Sequence, residues 1–502
     1  MKNKGPRVCA HARGKKAFRA GVLPLFFLAA IHTGAYAEFY NRAPDVLPGL
    51  LPEMYTPAYW IAKMKDPDAV ILAQVQIQAK NDAYRKRVKS PDPFAGTDPD
   101  RTPNLDDLNR WPGRFVSPPD LSTLAPSQLA EVIRAEVGKD IDFMRGKYSK
   151  NVLGLKTVEF KEFGNMLGIK YADWELDRFE KEMARDLITD TPTLLDAVTV
   201  CDARLRIVPS LTPEQVGLME NGKTRWDVWN VNIVRIGSPV IVLHSSRSGG
   251  YVYVLSGEGY GWIRSEEAAF SSKAEIQKYT DPADFVVCTG DRAPYYSDAS
   301  CRFASGWMRL GDRLPLASRA NPRLILAPVR KANGRFATEQ AWLAKDADVH
   351  VGWLPYTRRN VATTVFKLLG NPYDWSMAWY GRNHETTLRD LFACFGFELP
   401  FNADLFTFYS DVNPRVVRPS EERAEQYKAI LANDPFITIQ TCGGGHSQLF
   451  IGEHDGEPIV LDTHGYGYDQ DGVRYEIRRL TVGNMTQPEY FLKTNFTFCV
   501  LK

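Results

Sequence analysis

The chain has 502 residues, too many for a single hydrophobic core and enough for three or four domains. It is 44% hydrophobic and 24% charged, which excludes a mostly disordered or collagen-like chain. Its 62 basic and 60 acidic residues nearly cancel, yet residues 1–37 hold seven of the bases and no acid; the remainder carries 55 against 60, a net of −5, with no global signature of nucleic-acid binding.

Residues 1–37 read as a secretory signal peptide: a basic n-region ending at Arg19, an apolar stretch from Ala20 to Ile31, and the small-x-small site Ala35-Tyr36-Ala37. The expected mature chain begins near Glu38. The apolar stretch is about 12 residues where a membrane span takes roughly 20, so cleavage is expected rather than anchoring, and no later stretch approaches spanning length. Cys9 lies in the n-region, and no Cys follows a small-residue box, which argues against a lipid anchor. Cys201, Cys288, Cys301, Cys394, Cys442 and Cys499 remain after cleavage. An oxidising compartment permits disulfides, and Cys288 with Cys301 is the pair closest to hand in sequence.

The predicted architecture is multidomain α+β. Residues 38–125, rich in Pro, Asp and Arg, read as an irregular, extended segment that wraps other domains or stays partly mobile. Residues 126–194 read as helical: Leu129, Val132, Ile133 and Val137 keep helical spacing after the cap-like Ser127, and Tyr171 to Leu187 is amphipathic. From about 195 the period changes to two. Val198–Val208, Ser238–Leu243, Tyr251–Leu255 and Gly261–Ile263 are expected strands, followed by Phe285–Cys288, Pro294–Ser297 and Gly306–Leu310. The spacing suits two small β-barrels, over 195–283 and 284–354, with Trp262 and Trp307 each read as a barrel aromatic that packs a core or, less simply, grips a ligand. The last domain, 355–502, reads as a helix at Val361–Leu369 stopped by Gly370-Asn371-Pro372, a helix at Glu385–Phe395, and strands at Phe436–Thr441, His446–Ile451, Ile459–His464 and Phe491–Leu501.

Four of the six histidines beyond residue 37 fall in this last domain. His384 stands at the start of the 385–395 helix with Asn383 as the candidate cap, where the positive end of the macrodipole favours a neutral imidazole. His446 opens a strand after three glycines and shares a face with Gln448 and Phe450. Asp462 and His464 share a face of the next strand, so either can orient His446. His454 falls in a hairpin turn and reads as solvated.

The stretches VGWLPYT, FKLLGNPYDW, LRDLFACFGFELP and GGHSQLFIGEHDGEPIVL, with DARLRIVP, GSPVIVLHSS, GYGWI and WMRLGDRLP before them, resemble the NlpC-type murein-peptide cysteine peptidases. The resemblance is to the multidomain members, with an N-terminal stabilising segment and two bacterial SH3-like domains ahead of a papain-like peptidase domain. It implies a fold of helical segment, two SH3-like barrels and papain-like domain, a place in the periplasm or cell envelope, and contact with murein stem peptides or a wall-bound partner. It also implies catalysis by a Cys at a helix N-terminus, a His on the sheet, and a third polar residue. Tyr373 and His446 match the family pattern, His446 as the general base. The nucleophile position is occupied by His384, in Asn383-His384-Glu385. The recognition loop after Leu399-Pro400 reads Phe401-Asn402-Ala403 instead of Arg-Asn/Asp-Ser.

Three readings follow. The first is a degenerate peptidase that binds stem peptides or a wall partner and needs no cofactor, with Tyr373, Glu385 and Asn402 as substrate-binding candidates. In the second, a hydrolase holds zinc through His384, His446 and Asp462 or His464, with Glu385 as general base. A cysteine peptidase using Cys442 is the third; Cys394, some ten residues into its helix, reads as structural.

Overall fold

The computed structural model describes residues 41–42, 45–89, 120–146, 163–164, 169–210, 217–220, 223–224, 227, 229–375, 377–410, 416–442, 446–468, 474–485 and 493–502. The elements below belong to one unit, Arg42–Lys502. The signal-peptide assignment lies outside the described residues.

The segment expected to be irregular holds two α-helices. Pro57–Lys63 (α1) starts with Pro at a position that needs no N–H, and Gln74–Val88 (α2) follows. The irregular expectation is corrected at 57–63 and 74–88, while 45–51 and 64–73 are irregular; residues 90–119 lie outside the described residues. Pro126–Met144 (α3) takes the predicted place, but Pro126 occupies its first position, so Ser127 sits inside the helix rather than capping it. Asp173–Glu182 (α4) is shorter than Tyr171–Leu187 and passes into a 3₁₀ turn at Arg185–Leu187.

The first all-β region comprises Leu195–Thr199 (β1), Ala203–Arg206 (β2), Asn230–Val234 (β3), Pro239–Ser245 (β4), Tyr251–Ser256 (β5), Gly259–Arg264 (β6) and Ala268–Phe270 (β7). They form one antiparallel sheet in the order β7-β1-β4-β5-β6-β2-β3. Its core holds Trp229, Tyr253 and Trp262, and one face of α3 (Ile133, Val137, Ile141) joins the same cluster. The helical region is therefore part of the barrel's core.

After Lys273–Thr280 (α5), capped by Ser272, come Phe285–Cys288 (β8), Arg292–Tyr296 (β9), Ala304–Arg309 (β10), Arg313–Pro315 (β11), Leu324–Arg330 (β12), Phe336–Leu343 (β13) and Val349–Val351 (β14). These strands divide between two small sheets, β11-β8-β14 and β10-β9-β13-β12, which share one core containing Val286, Cys288, Met308, Leu314 and Ile325. Trp262 is fully buried as predicted, whereas Trp307 is 43% exposed and is no core residue. Cys288 and Cys301 are not bridged; both are free, the Cys288 thiol facing the carbonyls of Gly290 and Met308.

The last domain sets Arg358–Phe366 (α6), His384–Ala393 (α7) and Arg423–Leu431 (α8) with Thr438–Cys442 (β15), His446–His454 (β16), Glu457–Tyr468 (β17), Arg474–Asn484 (β18) and Phe496–Val500 (β19). The strands run in the order β18-β17-β16-β15-β19, all antiparallel. Leu391 and Phe392 of α7 pack with Leu449, Ile451 and Leu461, and Trp60, Leu72 and Ile77 of the N-terminal segment are buried in that same core. Trp60 lies on the backbone of Gly452 (φ 146°), where a Cβ would come within 2.7 Å of the indole. The segment also satisfies carbonyls left over beyond the end of α7: Gln74 Nε2 donates to Phe395 O (3.0 Å) and Asn81 Nδ2 to Gly396 O (2.9 Å).

Asp390, fully buried on α7, collects four arginines. Arg235, between β3 and β4, pairs with it; Arg382 Nε donates at 2.8 Å, Arg309 of β10 lies at 3.5 Å and Arg389 at 3.6 Å. Burial alone would raise this carboxyl, but Arg235, Arg309, Arg382 and Arg389 together hold it well below the usual range. Gly311 (φ 80°) lets the β10–β11 turn reach α7, since a Cβ there would stand 2.5 Å from Asp390 O. Asp312 accepts from the Arg309 N–H (2.7 Å) and pairs with Arg235 (3.3 Å), yet burial, with Asp202 nearby, pushes it up to about 7.

Removing Asp390 strands several buried guanidinium groups, so Asp390→Ala is expected to lower stability by about 3–5 kcal/mol in a denaturant titration. Asp312 binds its proton in the folded chain at pH values where the unfolded chain has released it. The stability it adds is present near pH 4 and is lost as pH rises through about 7, so the advantage of the native chain over Asp312→Asn should shrink across that window. An advantage that grew with pH would show that Asp312 is ionised throughout.

Candidate functional site

Helix α7 begins where the sequence placed it. Asn383 Oδ1 accepts from the Thr386 N–H (2.8 Å) and the Asn383 N–H is bonded by Thr386 Oγ1 (2.9 Å), a reciprocal cap. The Asn383 amide also donates to Trp375 O (3.1 Å), tying the helix start to the preceding loop. His384 is therefore held at the first helical position, half-buried, at the positive end of the macrodipole.

His446 opens β16 opposite Cys442 of β15. Its ring lies 4.2 Å, centroid to centroid, from that of His384, tilted by 52°. Its Nε2 is 3.0 Å from Asp462 Oδ2 on the neighbouring strand β17. An ionised carboxylate can only accept, so this bond selects the tautomer protonated on Nε2 and puts the acceptor lone pair on Nδ1. Thr387 of α7 and Thr463 of β17 share a hydrogen bond (3.1 Å), fixing the helix against the strand that carries Asp462. Three of the predicted residues, His384, His446 and Asp462, thus meet. Of the two candidates for orienting His446, Asp462 bonds its ring; the His464 side chain lies outside the described residues.

Tyr373 borders this group. Its backbone pairs with Arg478 and Arg382, and desolvation pushes its phenol well up, with the Asp462 and Glu385 carboxylates adding to the shift. Glu385 does not present a base to a cleft. It is 5% exposed, and its carboxylate accepts from the Ala403 N–H (3.1 Å) and faces the Asn383 amide (3.5 Å), holding the 3₁₀ turn Ala403–Tyr409 against α7. Asn402 lines a different space, a cavity of about 950 Å³ bordered also by Glu258, Arg313, Trp353, Arg389 and Phe401. His384, His446, Asp462 and Tyr373 are not among the residues that border it.

The remaining alternatives fare less well. Among the described residues no three His, Cys, Asp or Glu side chains are grouped so that they could hold a metal ion; the His464 side chain, the other candidate third ligand, lies outside them. Cys442 is 2% exposed, ends a strand rather than starting a helix, and its thiol faces the His446 carbonyl at 3.8 Å. Burial pushes the Cys394 thiol up to about 12, as suits a structural residue. His454 ends β16 and sits 3.5 Å from Asp455.

Sequence reasoning missed Asp374. Its carboxylate accepts from the N–H groups of Trp379 (2.8 Å) and Gly381 (3.1 Å), shaping the loop that leads into Asn383. An Asp five to seven residues before a tight turn's amides was the available signal.

A model of the SH3 domain (SH3b1 type) matches residues 219–264. Among solved structures, an NlpC/P60 endopeptidase from Photobacterium damselae subsp. piscicida is similar over 92% of this chain and 99% of its own, with a TM-score of 0.63 and 14% identity. An NlpC/P60 family protein from Bacillus cereus ATCC 10987 matches over 61% of this chain and all of its own length, with a TM-score of 0.40 and 18% identity. No curated protein matches. The chain thus carries an SH3 domain of the SH3b1 type within a fold shared with an NlpC/P60 endopeptidase.

Proposed function

We propose that this is an exported cell-envelope protein whose papain-like C-terminal domain binds murein stem peptides, or a wall-bound partner presenting such peptides, without cleaving them by a cysteine nucleophile. One observation carries the proposal: the helix N-terminus that faces His446 and Asp462 bears the imidazole of His384, where a cysteine peptidase needs a thiol. The base and its orienting carboxylate are retained, and so is the tyrosine beside them. A site that keeps its walls and lacks its nucleophile retains the means to recognise a peptide. The export signal at 1–37 supports the envelope location, and the strand content of 284–354 supports a second SH3-like domain beside the first.

The test is a digest followed by a titration. Metal-replete residues 38–502, incubated with defined murein stem peptides, should leave every peptide intact by mass spectrometry. The same peptides should bind, and His446→Ala should weaken binding about tenfold, the equivalent of about 1.4 kcal/mol. Cleavage abolished by chelator would overturn this reading in favour of metal chemistry, and chelator-insensitive cleavage would return a cysteine mechanism. Folded protein that neither cleaves nor binds any stem peptide would end the murein reading.

Thiol labelling probes the same position. In the native chain Cys442 should react slowly with iodoacetamide, because it is buried and no helix end acidifies it. His384→Cys places a thiol at the start of α7 beside His446 and should label faster than any native cysteine. A native Cys442 that outpaces it would point to Cys442 as a working nucleophile.

A further inference from the structure

The loop from Asp374 to Arg382, immediately before the His384 helix, is held more firmly than a connection needs. Three arginines from the two all-β regions each grip one of its carbonyls: Arg204 donates to Ala378 O (3.4 Å), Arg292 to Tyr380 O (3.0 Å) and Arg309 to Gly381 O (3.0 Å). Asp374 holds the Trp379 and Gly381 N–H groups from the other side. Met377 (φ 59°) and Tyr380 (φ 60°) are forced into the left-handed region, which non-glycine residues adopt only when their surroundings over-determine them.

What this scaffold displays is an indole. Trp379 is 49% exposed, although its backbone is fixed by Asp374. Next to it Tyr380 meets the ring of Trp307 edge-on at 6.4 Å, and Trp307 is itself 43% exposed on β10. The Arg292 guanidinium lies 5.7 Å from the Trp307 ring centroid and that of Arg204 lies 5.9 Å from Tyr380. Asn383, which caps the His384 helix, bonds the same loop at Trp375.

We propose that Trp379, Tyr380 and Trp307 form a stacking ledge for a neutral or acidic sugar ring, the glycan part of a wall polymer, beside the peptide site. The proposal rests on the murein reading above. The chemistry narrows the ligand. An exposed indole on a pre-ordered loop and another on the strand beside it offer flat π faces at little entropic cost, and the C–H face of a sugar ring carries the weak positive charge that such faces attract. A cationic ligand is disfavoured, because Arg292 already uses the Trp307 ring and adds its own positive charge. An aliphatic protein surface is a poorer match, because the indoles are flanked by guanidinium groups rather than by a continuous apolar patch.

Isothermal titration of the chain with peptide-free murein glycan strands, and with an N-acetylglucosamine tetramer, tests this. Both probes should bind while dextran does not. Trp379→Ala and Trp307→Ala should each weaken binding about tenfold or more, and Trp379→Phe, which keeps an aromatic face, should retain most of it. Both indoles are exposed, so an unchanged unfolding midpoint verifies that the variants fold. No binding of either glycan, or binding indifferent to both alanine variants, would overturn the ledge. Stem peptides that bind while glycans stay silent remove the ledge and leave the peptide site standing; glycans that bind while stem peptides do not remove the peptide site alone.

Discussion

Everything near the site is positioned by one buried carboxylate. Asp390 lies in the middle of the helix that carries His384, and the arginines that neutralise it come from three parts of the chain: Arg235 from the first all-β region, Arg309 from the second, and Arg382 and Arg389 from the last domain. A single buried ion pair is weak evidence of stability, because desolvation offsets most of the attraction. A shared carboxylate acts differently. Each arginine that withdraws leaves a buried charge less compensated for the others, so the three regions have one favourable arrangement. Arg382 extends the network to Asp291, and Arg389 to Glu258 (2.5 Å) at the β5–β6 turn. The docking of the two all-β regions and the height of the His384 helix are therefore set by the same contacts.

From that helix the constraint passes to the loop before it. Arg309 serves both, reaching Asp390 with the same terminal nitrogen that donates to Gly381 O. A shift of the second all-β region would move the loop and the helix start together. The N-terminal segment closes the other end of α7 through Gln74 and Asn81, so the helix is gripped at both ends and at its middle. A histidine pair held at 4.2 Å needs such anchorage, because the contact joins a helix terminus to a strand.

Local chemistry was legible in the sequence and distant chemistry was not. Asn383 as a cap depends on neighbours within a few residues and could be read; so could the placing of His446 and Asp462 on successive strands. The N-terminal helix α2 could not. Gln74-Val75-Gln76-Ile77-Gln78 alternates like a strand, and the helix buries only Ile77, Asn81 and Val88; its hold on the fold is amide-to-carbonyl bonding to residues near 395. Strand β18 was missed for a related reason, since its Arg474-Tyr-Glu-Ile-Arg-Arg stretch reads as solvated although Tyr475, Ile477 and Leu480 are buried. Glu385 reads as a general base because it follows His384; its bond to Ala403 joins two segments that no spacing connects. Trp307 has the pattern of a core strand residue, and only the loop that packs beside it shows that it faces outward.

The histidine contact bears on chemistry as well as on position. Acyl transfer requires a nucleophile and a base close enough to share a proton, with room about 3 Å from the nucleophile for the reacting carbon. A thiol at the start of α7 would reach toward His446 with one sulfur and leave space around it. An imidazole is broader, and the His384 and His446 ring centroids lie 4.2 Å apart with the planes tilted by 52°. Asp462 fixes the His446 tautomer, and Tyr373 stays within electrostatic reach of both Asp462 and Glu385. On the reading proposed above, a peptide laid across this site meets the hydrogen-bonded pair His446–Asp462 with an imidazole, not a thiol, at the start of α7.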